Sequence, residues 1–495
     1  MLDQLRPLLP EVTLSAPEAP ASLLAPDAAV TAYVLLIPDG GAWPSAARGR
    51  TAALGLPVAE LESALEAPKP MSASAPTPVA GAVGLVVLAG IGDGSAHQAR
   101  LAAAAAARAV PKATAVIMDG PDDLPLDAVI EGLILGSAKP VKWLAAGPSA
   151  ERTLRQIILL GIRDDRAVQA GRDGAAVTLL ARALGATPSN IKNPAWLAAI
   201  SEQAAVAGEL TITVWDETEL AERGFGGILA VGGGSNTPPR LVQLDYDPDG
   251  TGAPPVVLVG KGITFDTGGL DIKPPTNMVL MKTDMSGAAA VLSVLAHCRE
   301  AGVRRRVIGL LPLAENAVGP AAYRPSDVIT SFGGRTVEIV NTDAEGRIVL
   351  ADAIAYAVAE LDPDVVVDIA TLTGAARIAL GTTMAASFGT DPGVLGALRL
   401  AFAEAGEHLW PLPLVSDYRP ALDSPVADIA QMGPLGKPAG GAIMAALFLQ
   451  EFAGEVPWVH LDIAGPGRSE TDTGIVHVGA TGYGARGLLR WLTKE

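Results

Sequence analysis

Apolar residues in this chain fall into short runs separated by polar or glycine-rich breaks. Tyr33–Ile37, Gly84–Leu88 and Ala115–Met118 are too short for helices and suit buried strands, whereas the alanine-rich Gln98–Ala109 suits a helix. That alternation predicts a small α/β unit over residues 1–149. The charged stretch 150–170, carrying Ile157, Ile158, Leu159 and Ile162, reads as a connecting helix. From 171 to 495 the alternation strengthens. Val256–Val259 ends at Gly260-Lys261-Gly262, Val307–Leu311 ends at Pro312, and Val365–Ile369 ends at Ala370-Thr371-Leu372-Thr373-Gly374. Helical runs lie between or beyond them, at Gly287–Glu300, Gly346–Glu360 and Ala442–Phe452. The expected fold is α/β, a three-layer C-terminal domain on a mixed sheet plus a smaller N-terminal α/β domain. Sites in such sheets lie beyond the carboxyl ends of the strands, and the polar motifs fall there.

Composition narrows the picture. At 495 residues the chain exceeds one ordinary core, so two domains are expected. A net charge of −17 argues against a nucleic-acid or anionic-membrane partner. The single Cys298 excludes an internal disulfide framework and fits a reducing cytoplasm. The start, Met1-Leu2-Asp3-Gln4, lacks a basic flank and apolar stretch, and no apolar run approaches the roughly 20 residues that span a bilayer. A soluble, cytoplasmic protein is expected. The proline- and alanine-rich stretch Pro68–Pro78 reads as surface loop, and Ala102–Ala107 as plain helix.

Chemistry concentrates in four segments. Asn341-Thr342-Asp343-Ala344-Glu345-Gly346-Arg347 sets two carboxylates and a guanidinium at alternate positions, which in an extended segment point the same way. Lys261 to Gly269 carries Asp266 among glycines that bring backbone close to whatever binds. It lacks the Gly-Lys-Ser/Thr of a phosphate loop. Lys273 follows seven residues after Asp266, and Asp284 precedes a helix start in Met281-Lys282-Thr283-Asp284-Met285. Together they offer Asp266, Asp284, Asp343 and Glu345 as oxygen ligands beside Lys261, Lys273 and Arg347. Paired divalent ions roughly 3.5–4 Å apart are the recurrent use of such groups. Mg²⁺ or Mn²⁺ suits such an oxygen-rich set, and Zn²⁺ also accepts carboxylates. The bland alternative is a nearly neutral buried ion-pair network, with Asp343 as a helix cap.

Residues from about 175 to 490 resemble the leucyl aminopeptidase family, the cytosol aminopeptidases with two metals. Asn341–Arg347 matches the family signature unbroken, and Val259–Gly269, Met281–Ala289, Thr371–Ala375 and Trp458–Gly465 follow its pattern. The resemblance implies that Asp266 and Glu345 bridge two metals, that Asp343 completes one site, and that Asp284 with a neutral Lys261 completes the other. It implies that Lys273 polarises the scissile carbonyl and that Arg347 holds a bicarbonate as general base. Leu372 would offer its backbone carbonyl to the tetrahedral intermediate, and Met281 would wall an apolar pocket for a leucine-like first side chain. Thr371 and Gly374 would also line the substrate site. Peptides with a free N-terminus are the implied substrates and a homohexamer the implied assembly. Two other readings stay open: a two-metal hydrolase of another amide or ester, and a regulatory or structural relative with secondary catalysis.

Two positions depart from the family pattern. Asp271 stands where a small polar residue is common and, two positions from Lys273 on the same side of an extended chain, is in a position to pair with it. Ser326 replaces a common glycine, affecting a loop. His97, His297, His408, His460 and His477 are too scattered for a histidine metal site, with His297 expected in core or interface. Cys298 reads as a structural thiol, and Gly232-Gly233-Gly234-Ser235 as a glycine-rich loop.

Overall fold

A computed structural model describes residues 9–494 except 16–30, 38–44, 54–57, 60, 62–76, 82–83, 146, 150–153, 162–163 and 435–439. The N-terminal part is built on a six-stranded sheet in the order Glu11–Ser15, Gln156–Leu160, Ala115–Asp119, Thr31–Ile37, Gly84–Gly90, Thr77–Gly81. The strands run parallel except for Thr77–Gly81, which pairs antiparallel at the edge. Pro78 is tolerated in this edge strand because a ladder is needed on one side only. It belongs to a strand rather than to the expected loop; residues 68–76 lie outside the described residues, as does Met1–Gln4.

The connecting helix expected over 150–170 is corrected. Gln156–Leu160 is a strand paired in register with Glu11–Ser15 and Ala115–Met118, and Ile157, Leu159 and Leu160 are wholly buried. Helix begins only at Asp165, capped by Asp164, and runs to Ala186. A run of four apolar residues fits either state locally, and the two open neighbouring strands decided it. Ile162 lies outside the described residues.

The Asp165–Ala186 helix belongs to two cores. Val168, Ala175 and Leu179 pack into the N-terminal cluster, whereas Val177, Leu180, Ala181 and Leu184 pack beneath the second sheet. That sheet has nine strands. Eight follow the order His408–Pro411, Met384–Gly389, Trp458–Asp462, Val365–Ala370, Val256–Gly260, Val307–Asn316, Arg240–Tyr246, Thr211–Trp215. The ninth, Gly262–Asp266, pairs with the far half of Val307–Asn316. Parallel and antiparallel pairings mix, as expected.

Its centre is covered on both faces, which explains near-continuous apolar strands. Val256 and Leu258 point to one core with the Ser286–Leu295 and Ala485–Lys494 helices. Val257 and Val259 point to the other, with Glu345–Glu360 and Gly441–Ala453. The Val307 strand does not end at Pro312 but continues to Asn316. Pro312 sits where the parallel partner changes: Val259 pairs with Leu310, and Gly262 with Leu313. A residue without an N–H costs little at that gap. Among the described residues no helix is long and apolar enough to cross a membrane.

Candidate active site

Beyond the carboxyl ends of these strands lies a cavity of about 400 Å³. Lys261 leaves the Val256–Gly260 strand with its backbone N–H on the Ile369 carbonyl at 3.1 Å. Asp266 closes the Gly262–Asp266 strand. Gly268 and Gly269, at φ 89° and 64°, then reverse the chain in a conformation side chains resist. The reversal returns Lys273 to Asp266, Nζ to Oδ2 at 2.7 Å, and to an ion pair with Asp343. Asp284 ends the tight turn Met281–Thr283 before the Ser286–Leu295 helix.

Asp343 and Glu345 do converge, but not by extended alternation, and that expectation is corrected. Thr342 and Asp343 form a turn, and Glu345 opens the Glu345–Glu360 helix. A helix N-terminus welcomes a carboxylate, so the turn-to-helix junction suits the charge as well as the direction. Gly346 is required by proximity: a Cβ there would lie 2.5 Å from Cε of Lys261. Lys261 Nζ meets Asp284 Oδ2 at 2.8 Å and Glu345 Oε1 at 2.9 Å, and donates to the Thr371 carbonyl at 2.9 Å.

Ligand oxygens of Asp266, Asp343 and Glu345 lie within 4.8 Å of one another, with Asp266 and Glu345 buried. Burial raises the pKa of all four carboxyls, and mutual repulsion adds to it; the lysines oppose the shift. For Lys261 burial works towards neutrality, but Asp284, Glu345 and Asp266 outweigh it and hold the ammonium protonated. Lys273 is raised in the same way. The ion-pair alternative is thus partly realised, since lysines do meet these acids. It does not balance: four carboxylates face two ammonium groups and the Arg347 guanidinium. Glu345 Oε2 is buried with no hydrogen-bond partner, and Asp284 Oδ2 and Asp343 Oδ1 meet ammonium charge without hydrogen-bond geometry. Orphaned buried oxygens in a cluster short of positive charge fit divalent cations.

Every anticipated residue lines this one cavity: Lys261, Asp266, Lys273, Met281, Asp284, Asp343, Glu345, Arg347, Thr371, Leu372 and Gly374. Arg347 is 8% exposed; burial lowers its pKa to about 10 against the pull of Glu345 and Asp462. Its Nη1 donates to the Gln431 carbonyl at 3.1 Å, while Nε is buried and unpartnered. Thr371 Oγ1 donates to Asp284 Oδ1 at 2.7 Å.

Asp271 does not pair with Lys273. Its Oδ2 accepts from Thr342 N–H at 2.8 Å and from Thr342 Oγ1, which pins the signature turn, while Lys273 takes Asp266 and Asp343. Ser326 does occupy a glycine-like backbone, at φ 75°. Gly232 ends a helix rather than opening a loop, and a Cβ on Gly234 would lie 2.0 Å from the Ala317 carbonyl, so these glycines serve close packing. His297 and Cys298 are buried. His97 and His408 do lie near each other, ring centroids 5.9 Å apart. Among the described residues, though, the candidate metal group contains no histidine.

Several supporting residues carry no local signal. Asn316 donates to Asp266 Oδ1 at 2.8 Å and to the Thr342 carbonyl at 3.0 Å. Gln431 brackets the signature turn, accepting from Val340 and Asn341 and donating to Ala344. Asp462 receives Leu372 and Thr373 N–H and the Thr373 hydroxyl, fixing the loop that carries Leu372. Of these, Asp462 alone falls in a stretch that the sequence singled out, Trp458–Gly465. Lys192 is buried on the Leu184 and Gly185 carbonyls and also reaches the Lys282 carbonyl beside Asp284.

A profile described as the cytosol aminopeptidase family, catalytic domain, matches residues 179–489. A probable cytosol aminopeptidase of Desulfovibrio desulfuricans is 49% identical over 325 residues, 65% of this chain and 64% of that protein. One from Streptomyces avermitilis is 41% identical over 438 residues, 86% of this chain and 84% of its own. Among solved structures, the bottromycin maturation enzyme BotP in complex with Mn superposes with TM-score 0.82 at 35% identity, covering 94% of this chain and 99% of that one. With its carboxylate and lysine cluster on a matching fold, this chain belongs to the cytosol aminopeptidase family of metal-dependent exopeptidases.

Proposed function

We propose that the protein is a leucyl-type aminopeptidase that hydrolyses the N-terminal peptide bond of peptides with two divalent cations. The reading rests on the cluster of Asp266, Asp343 and Glu345 oxygens within 4.8 Å, where Glu345 Oε2 is buried without a hydrogen-bond partner. Asp266, Glu345, Asp343, Asp284 and Lys261 would together hold the two ions. Mn²⁺ or Zn²⁺, with Mg²⁺ compatible, would supply water activation and stabilise developing negative charge. Lys261 would exchange its proton for the metal, a change that two dications offset.

Lys273 stays cationic between Asp266 and Asp343, and from the cavity wall would polarise the scissile carbonyl. The unpartnered Arg347 Nε suits an anion, and bicarbonate held there would supply general-base chemistry. Leu372, its N–H anchored by Asp462, would direct its carbonyl to the reacting centre, while Thr371 and Gly374 line the approach. Met281 would contact the first side chain.

Comparing leucine amide with its N-acetyl derivative tests the exopeptidase assignment: the free amine should be strongly preferred, and equal rates would defeat it. Elemental analysis should find two divalent ions per chain. Chelation should abolish hydrolysis and Mn²⁺ or Zn²⁺ restore it. Rate dependence on added bicarbonate, lost in Arg347→Ala, checks the base. A homohexamer and a cytoplasmic location belong to the same proposal, and light scattering tests the first.

A further inference from the structure

Two guanidinium groups stand in the cavity without a part in the reaction just described. Arg377, on the Gly374–Leu380 helix, and Arg468, on the short Arg468–Ser469 strand, line it together with Met281, Thr371, Gly374 and Ala464. Their environments differ. Arg377 pairs with Glu470 at 2.8 Å, a carboxylate 63% exposed to solvent. Arg468 has no such partner: its Nε is buried and unbonded, and among the described residues no carboxylate forms an ion pair with it. Burial and the like charge of Arg377 both work against its cationic form, and Asp284 and Glu470 compensate only at longer range. Asp284 is also committed to the metal site in the proposed function, which leaves Arg468 poorly compensated.

A half-buried guanidinium with a buried, unbonded Nε and no paired anion is disfavoured, and a carboxylate satisfies both its charge and its planar donors. The floor beside it is kept low by Gly467, where a Cβ would lie 3.1 Å from Thr371 Cγ2. Met281 and Thr371 line the same cavity as both arginines, so apolar wall and cationic groups face one space.

We propose that Arg468, assisted by Arg377, recognises a carboxylate of the substrate, so that the protein favours anionic peptides over neutral isosteres. The inference rests on the aminopeptidase reading and extends it to a substrate class. The carboxylate has two sources, an N-terminal glutamate side chain or the free C-terminus of a dipeptide.

The test measures kcat/KM on Glu-Leu-amide against Gln-Leu-amide, and on Leu-Leu against Leu-Leu-amide, for wild type, Arg468→Gln and Arg468→Lys. One charge-assisted contact predicts a wild-type preference of about tenfold or more in one of the two pairs. It should shrink towards unity in Arg468→Gln and be partly retained in Arg468→Lys. The responding pair identifies the source, and a ratio within each enzyme cancels general damage from the substitution. Ratios near unity for both pairs in wild type, or a preference unmoved by Arg468→Gln, overturn the inference while leaving the aminopeptidase reading intact. Failure to cleave any of the four substrates overturns that reading and this inference with it.

Discussion

Asp462 holds no place in the metal cluster, yet it accepts from two consecutive backbone N–H groups and a hydroxyl in the loop carrying Leu372. Asp462→Ala leaves those donors buried without partners and frees the Leu372 carbonyl to drift. We expect kcat/KM to fall about 10–100-fold, the kinetic equivalent of one or two lost hydrogen bonds, with metal content unchanged by elemental analysis. A loss of metal together with activity would assign Asp462 to the ligand shell instead. Ser326 offers the opposite case. Its φ of 75° costs roughly 1–2 kcal/mol for a non-glycine residue. Glycine there relieves that strain but loosens the unfolded chain by about 0.4–1 kcal/mol. Ser326→Gly should therefore stabilise modestly, visible as a raised urea midpoint at an unchanged slope. Individual carboxylates and lysines were legible in the sequence because their motifs are contiguous. Asn316 and Gln431 were not: neither stands in a motif, and each matters only through contacts formed across the fold.

Among elements, the Glu345–Glu360 helix does most to position the chemistry, and Asp352 fastens it. Wholly buried, Asp352 accepts from Ile228 N–H at 2.9 Å and Phe332 N–H at 2.8 Å. Burial pushes its pKa up to about 7, above the roughly 3.9 of an unfolded aspartate, although those N–H groups favour the anion. Between about pH 4 and pH 7 the folded chain then holds a proton that the unfolded chain has released. Stability falls as pH rises through that window, and below about pH 4 this cost is absent. Asp352→Asn should remove its share of the slope, so the urea midpoint should change less between pH 5 and pH 7.5 than in wild type. An identical pH dependence in the two proteins would count against a raised pKa. Strand identity was mostly legible in the β-branched runs. Gln156–Leu160 was not, because four apolar residues suit a helix as well as a strand, and only the vacant position between Glu11–Ser15 and Ala115–Asp119 chose.

Across the whole molecule, the two sheets are tied by buried charge. Glu131, from the N-terminal part, meets Arg100 at 2.6 Å and Arg486 of the C-terminal helix at 3.4 Å, and Arg486 also meets Glu407 at 3.3 Å. Arg490 adds Asp127 at 2.6 Å. Replacing Glu131 with Ala leaves buried Arg100 without its carboxylate and Arg486 with Glu407 alone, and should cost about 3–5 kcal/mol, measurable as a lower thermal midpoint. Glu131→Gln should cost less, because a hydrogen-bond acceptor remains.

The chain by itself determined the chemistry on offer. A contiguous signature needs no fold to be read, because neighbours in sequence stay neighbours in space. It also determined which runs would be strands wherever both faces are buried, since such runs must be apolar throughout. Only the tertiary structure decided that Asp266, Asp284, Asp343 and Glu345 share one cavity with Arg468, that Asp271 serves the backbone rather than Lys273, and that one helix joins two cores. Those outcomes depend on pairings between distant segments, where strand register and the avoidance of buried unpaired charge act on the folded whole.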